Sequence, residues 1–103
     1  MKEYFKLVRD KIPTIIKDDG RKPVFYSADT IEHKRRLFEK MEEELQEFRD
    51  KPCVEEAADM YEVLLAIAET HRIDMYDIIL MADKKRSERG GFLEGLVLET
   101  VDK

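Results

Sequence analysis

Two acidic segments on either side of a proline constrain the fold of this chain more than any other feature. The first spans residues 40–48 and the second spans residues 55–59, with Pro52 between them. Proline is tolerated in the first turn of a helix, where its missing N–H has no partner. The pattern therefore predicts two helices joined by a short turn. Glu55 and Glu56 fall in the first turn of the second helix, where the helix dipole favours negative charge.

Some of these acids fall beside the apolar stripe of their helix. At about 100° per residue, Glu44 and Glu47 share one shoulder of the first stripe, whereas Glu43 points outward. Glu56 and Asp59 border the second stripe. The stripes consist of Leu37, Met41, Leu45 and Phe48 in the first helix and Met60, Val63, Leu64 and Ile67 in the second. Antiparallel packing of the two helices can therefore bring four carboxylates together.

A carboxylate in an apolar seam is costly unless something neutralises it. The cluster is therefore expected to hold protons or to bind a hard cation; the alternative is that each acid pairs with a nearby Lys or Arg. An all-oxygen set of ligands suits Mg²⁺ or Mn²⁺ better than zinc, which prefers His and Cys. The paired spacing on two consecutive helices favours a metal site over isolated salt bridges.

Composition limits the class of protein and its partners. The chain has 103 residues, which suits one domain spanning 1–103. A net charge of −5 and a pI near 5.1 disfavour duplex nucleic acid as a partner. Cys53 is the single cysteine, so no internal disulfide forms, as is typical of a reducing compartment. The longest apolar run, 63–68, is too short for a membrane span and no signal peptide opens the chain, so we expect a cytoplasmic protein.

The rest of the pattern predicts a mainly α fold, a helical bundle of three main helices plus a short N-terminal helix. The main helices are expected at about 29–50, 53–71 and 74–88, with Asp29 or Ser27 and later Asp74 as N-caps. Residues 23–26 and 95–101 are the two candidates for a small β element. Tyr61 and residues 63–68 are apolar nearly all round, which predicts association with a second copy through the first two long helices.

Two cationic segments are candidates for binding phosphate. Lys85 and Arg89 share a helix face, with Arg86 between them, and this arrangement suits a triphosphate. Their alternative role is to balance the helix dipole near its C-terminus. Arg9 and Lys11 form the second segment, whose residues alone favour a solvated charge run; a phosphate contact of Arg9 or Lys11 is a hypothesis that depends on the resemblance given next.

Four stretches in order resemble the MazG-like all-α nucleotide pyrophosphohydrolases. They are Glu43-Glu44-x-x-Glu47, Glu56-x-x-Asp59, the segment 6–13 (Lys-Leu-Val-Arg-Asp-Lys-Ile-Pro) and the segment 85–92 (Lys-x-x-x-Arg-Gly-Gly-Phe). The resemblance implies a Mg²⁺-dependent nucleoside triphosphate pyrophosphohydrolase, with Mn²⁺ as a substitute ion. Such an enzyme cleaves between the α- and β-phosphates to give a monophosphate and pyrophosphate, in a house-cleaning role. It also implies a homodimer or a dimer of dimers, with a site that a partner chain can complete.

The resemblance also assigns roles to individual residues. Glu44, Glu47, Glu56 and Asp59 are implied to bind the metal, and Glu43, Glu44 or Glu47 to act on the attacking water. Lys85 and Arg89, with Arg86, are implied to bind phosphate. Two alternatives remain open at this point. One is the phosphoribosyl-ATP pyrophosphohydrolase of histidine biosynthesis, and the other is a non-catalytic acidic helical dimerisation module.

Overall fold

A computed structural model of the chain describes residues 5–102, so the first four residues of the N-terminal lead-in and Lys103 lie outside the described part. Helices account for its regular structure: α1 (Ile12–Asp18), α2 (Thr30–Asp50), α3 (Val54–Thr70) and α4 (Met75–Arg89). The bounds agree closely with the predicted ones. The mainly α helical fold with a short N-terminal helix is therefore confirmed.

Local sequence signals explain where α2 and α4 begin and where α4 ends. The side chain of Asp29 accepts a hydrogen bond of 2.8 Å from the backbone N–H of Glu32, and Asp74 accepts one from the N–H of Tyr76. Each bond satisfies a donor that the first helical turn leaves free. Gly90 ends α4 with a φ of 84°, a conformation that glycine adopts without a steric penalty.

The long helices pack in sequence order. Residues 51–53 link α2 to α3 and the two helices pack on each other, while the backbone of α4 packs beside α3 and not beside α2. Leu37 of α2 and Val63 and Ala68 of α3 form the buried apolar core. None of the four helices in the described part combines the length and hydrophobicity that crossing a bilayer requires.

The single chain leaves much of its apolar surface uncovered. It exposes 9786 Å², whereas a folded monomer of 12.2 kDa is expected to expose about 6,100 Å². Its radius of gyration is 18.4 Å, compared with about 13 Å for a compact domain of this length. Even Leu45 and Leu64, on the stripes that face the core, are 39% and 40% exposed.

The small β element is not found within residues 5–102. Segments 23–26 and 95–101 are irregular, and no backbone hydrogen bond joins them. Their apolar side chains face solvent, with Val24 92% exposed and Leu96 86% exposed. The physical reason is that a strand is stable only beside a hydrogen-bonded partner, and this chain does not bring the two segments together.

Candidate metal centre

Four carboxylates from α2 and α3 converge at one place on the helical hairpin. Glu44 and Glu47 come from α2, Glu56 and Asp59 come from α3, and one carboxylate oxygen of each lies within 4.8 Å of the others. The spacing of three within each pair puts both acids on one side of their helix. The short link between the helices then faces one pair towards the other. The convergence predicted from the sequence is confirmed.

The carboxylate oxygens of this cluster are short of partners. Glu44 is only 6% exposed, and its Oε2 atom has no hydrogen-bond partner. Oε2 of Glu56 is also buried and unpartnered. A buried charged oxygen without a partner is costly, so the site needs a proton or a cation. A set of four carboxylates could hold a metal ion, and oxygen ligands of this kind suit a hard divalent cation better than zinc.

Electrostatics show the same deficit of positive charge. Burial raises the pKa of Glu44, and the neighbouring carboxylate of Glu47 raises it further, against the opposing effect of Lys40. Burial also raises the pKa of Glu56, and the charges of Glu47 and Asp59 act in the same direction. Without a cation, therefore, Glu44 and Glu56 hold protons more readily than isolated glutamates do.

Two cations of the chain partly neutralise the cluster. Nζ of Lys40 lies 3.5 Å from Oε1 of Glu44, and Nη2 of Arg9 lies 2.6 Å from Oδ1 of Asp59. Within residues 5–102, neither Glu47 nor Glu56 forms an ion pair. Local salt bridges thus account for half of the cluster. The four carboxylates and these two cations leave a formal charge of −2, which equals one divalent cation.

Glu43 lies outside the cluster, as its outward direction on the helix predicts. Its carboxylate pairs with Nζ of Lys6 at 3.4 Å and with Nζ of Lys40 at 3.6 Å. It therefore shares Lys40 with the buried Glu44. Any role of Glu43 in catalysis acts at the edge of the carboxylate cluster.

The structure does not bring the cations of α4 to the carboxylates. Lys85 lines an apolar cavity of about 410 Å³ formed by α4 and Ile73, and Arg86 pairs with Asp83 at 3.5 Å. Arg89 is the last residue of α4, and the backbone of this helix does not pack beside α2. No hydrogen bond or ion pair within residues 5–102 links Lys85, Arg86 or Arg89 to the cluster.

Of the other two candidate phosphate-binding residues, Arg9 lies at the cluster and Lys11 does not contact it. Lys11 is exposed at the N-terminus of α1. Lys40 is a further site residue, and its position four residues before Glu44 is a recognisable sequence signal for an ion pair on a helix. The pairing of Arg9 with Asp59 has no such signal, because the two residues are 50 positions apart.

Comparison with known proteins finds no matching family model, no matching curated protein and no matching solved structure. The resemblance to MazG-like pyrophosphohydrolases therefore rests on the motifs alone.

Proposed function

We propose that this protein is a divalent-cation-dependent nucleoside triphosphate pyrophosphohydrolase with a house-cleaning role. It cleaves between the α- and β-phosphates and releases a monophosphate and pyrophosphate. The observation that carries this proposal is the cluster of four carboxylates, all with an oxygen within 4.8 Å of the others. The order of the acidic and basic motifs, which resembles that of MazG-like enzymes, supports the choice of reaction.

Glu44, Glu47, Glu56 and Asp59 would hold the cation, Mg²⁺ or Mn²⁺ in its place. When bound, such an ion supplies Lewis-acid polarisation of phosphate oxygens. The chain itself supplies negative charge that is partly shielded from water, because Glu44 is buried and Glu56 is partly buried. The unpartnered oxygens of these two residues are the ones that gain most from a cation.

Glu47 is best placed to accept a proton from the attacking water. It is the exposed member of the cluster, so water reaches its carboxylate, whereas Glu44 is enclosed. A general base must lie within hydrogen-bond reach of the water that it activates. Glu43 lies at the edge of the cluster, where it pairs with Lys6 and Lys40 and so helps to position these two cations.

A second copy of the chain completes the site in this proposal. The triphosphate needs cations, yet α4, which carries Lys85 and Arg89, does not pack beside α2 in the same chain. The exposed area of 9786 Å² exceeds that of a folded monomer of this mass by roughly 3,700 Å², which is more than the roughly 1,000–2,500 Å² that each chain of an obligate dimer commonly buries. Association through the exposed faces of α2 and α3 into a dimer or dimer of dimers can supply Lys85 and Arg89 of a neighbouring copy.

The test is the release of pyrophosphate from a panel of ribo- and deoxyribonucleoside triphosphates with Mg²⁺, with phosphoribosyl-ATP added as a further substrate. Glu56→Gln should abolish release while the protein stays folded. Glu62→Gln, a matched change at an exposed position of α3, should leave it unchanged. Activity only on phosphoribosyl-ATP would select the histidine-pathway alternative. If no substrate releases pyrophosphate, the remaining alternative is the non-catalytic dimerisation module.

A further inference from the structure

The segment that precedes α1 crosses both helices of the metal centre. We call residues 5–11 the N-terminal strap. Nη1 of Arg36 in α2 donates a hydrogen bond of 2.9 Å to the backbone oxygen of Phe5, and Nζ of Lys6 lies 3.4 Å from Oε1 of Glu43 in α2. Further along the strap, Arg9 donates to Asp59 in α3. The strap is therefore anchored on α2 and places its arginine at the carboxylate cluster.

The contact between Arg9 and Asp59 is the shortest ion pair within residues 5–102, with 2.6 Å between Nη2 and Oδ1. The arginine side chain is 59% exposed, and an ion pair in such contact with solvent contributes little to the stability of a fold. Its main effect falls on Asp59, one of the four clustered carboxylates. Arg9 and a divalent cation therefore have the same target.

The competition follows from charge. With Arg9 and Lys40 in place the cluster keeps a formal charge of −2, and without Arg9 it would keep −3. A divalent cation that approaches Asp59 meets a guanidinium already bound there, and two cations on one side of a carboxylate repel each other. Arg9 therefore lowers the affinity of the free site for the ion. Lys40 differs from Arg9 in this respect because it pairs with Glu44, on the α2 side.

We propose that Arg9 is an internal counter-cation of the metal centre, displaced from Asp59 when a divalent cation binds and then free to donate to substrate phosphate. The phosphate step rests on the proposed pyrophosphohydrolase function, and the displacement step does not. The planar guanidinium suits both ligands, because it binds carboxylate and phosphate oxygens in the same forked geometry. The exchange couples the two binding events: nucleotide takes up the arginine that the cation releases, so each ligand favours the other.

The decisive measurement is a calorimetric titration with Mn²⁺ in the absence of nucleotide. Arg9→Gln should bind Mn²⁺ about tenfold more tightly than the unchanged protein, because the cluster then keeps a formal charge of −3. Arg35→Gln is the matched control, because Arg35 is similarly exposed and pairs with Glu39 at 3.1 Å. It changes the net charge equally and should not change Mn²⁺ affinity.

Whether Arg9→Gln raises or lowers Mn²⁺ affinity decides if Arg9 is a counter-cation or a residue that orients Asp59. If Arg9 only orients Asp59 as a ligand, Arg9→Gln weakens Mn²⁺ binding, and the inference is overturned. Unchanged affinity, or no Mn²⁺ binding by the unchanged protein, overturns it as well. In an Asp59→Asn background, Arg9→Gln should lose its effect on Mn²⁺ affinity, because the effect passes through that carboxylate. A thermal unfolding curve for each variant confirms that the fold is kept.

A second titration uses an α,β-methylene triphosphate analogue, which is not hydrolysed, at saturating Mn²⁺. Arg9→Gln should weaken binding of this analogue about tenfold, the reverse of its effect on Mn²⁺, because a charge-assisted phosphate contact is lost. Equal affinity for the analogue would overturn the phosphate step. If Mn²⁺ binds more tightly to Arg9→Gln but no substrate is hydrolysed, the proposed function fails alone. If pyrophosphate is released but Mn²⁺ affinity does not rise, the counter-cation inference fails alone.

Discussion

Nζ of Lys40 lies 3.5 Å from Oε1 of Glu44, one helical turn further along α2. The lysine side chain is 24% exposed and the glutamate side chain 8% exposed, so water screens this pair only in part. Lys40 is therefore the main cation of the chain that offsets the buried carboxylate. The stability of the hairpin should therefore depend on whether Lys40, a proton or a bound cation neutralises Glu44.

Lys40→Gln should lower the free energy of unfolding of the cation-free protein by about 1 kcal/mol, between the values for exposed and buried ion pairs. Urea unfolding in the presence of a chelator measures the loss. Lys84→Gln, at an exposed position of α4, is the control and should have little effect. Saturating Mg²⁺ should reduce the loss, because the ion offsets Glu44 in place of the lysine. The same loss with and without Mg²⁺ would contradict the metal centre.

The cation-free protein should become less stable as pH rises from about 4.5 towards neutrality. The folded-state pKa values of Glu44 and Glu56 are raised above their ordinary value of 4.5, so the folded protein binds more protons than the unfolded chain in this interval. Stability then falls with rising pH, until the raised folded-state pKa is passed. Melting temperatures with a chelator at a series of pH values test this. Mg²⁺ affinity should rise over the same interval, since the ligands must lose their protons.

Glu44→Gln should stabilise the cation-free protein at neutral pH by about 1 kcal/mol, because it removes a buried charge that lacks a full set of partners. The same change should abolish binding of Mg²⁺ and Mn²⁺. Glu42→Gln is the matched control, since Glu42 is exposed on the same helix. A variant that is less stable than the unchanged protein, and still binds Mn²⁺, would remove Glu44 from the site.

Leu64→Glu should dissociate the proposed oligomer. Leu64 is 40% exposed on α3, and an unpaired carboxylate in an apolar interface raises the dissociation constant by at least about a hundredfold. Val54→Glu is the control, because Val54 is 87% exposed in the first turn of the same helix, where a negative charge is favourable. Sedimentation equilibrium gives the mass of each variant. If the protein without substitutions is itself a monomer of 12.2 kDa, the proposed association is refuted.

Mixing two inactive variants should restore activity if neighbouring copies share a site. Glu56→Gln lacks a carboxylate, and the double variant Lys85→Gln, Arg89→Gln lacks the cations of α4. In an equal mixture of exchanging dimers, the mixed dimers contain one intact site each, so about one quarter of the original activity should return. The rate of pyrophosphate release after mixing measures this. A mixture that stays inactive would show that one chain supplies both sets of residues.

The acid cluster was predictable because every step towards it is local in sequence. Pro52 indicates the break between α2 and α3, the helical period places each acid relative to its apolar stripe, and the short link sets the packing. The salt bridge of Lys40 with Glu44 follows from spacing as well. These rules concern residues within a few turns of one another, where the backbone geometry fixes which side chains meet.

The features that the sequence does not predict depend on distant parts of the chain. Arg9 reaches Asp59 across 50 positions, and no period or motif relates the two. Segment 23–26 has the β-branched and aromatic residues of a strand, yet a strand forms only if a second segment comes to lie beside it. Tertiary packing decides both cases, and local preference does not.

The link at residues 51–53 gives the acid cluster a distinctive place in the order of folding. All its members lie within residues 44–59, so closing the hairpin costs little chain entropy and its contacts form among the earliest. The carboxylates can therefore meet without help from α4, which follows them in the chain. A divalent ion captured at that moment would hold the nascent hairpin closed and act as a template for the helices that follow.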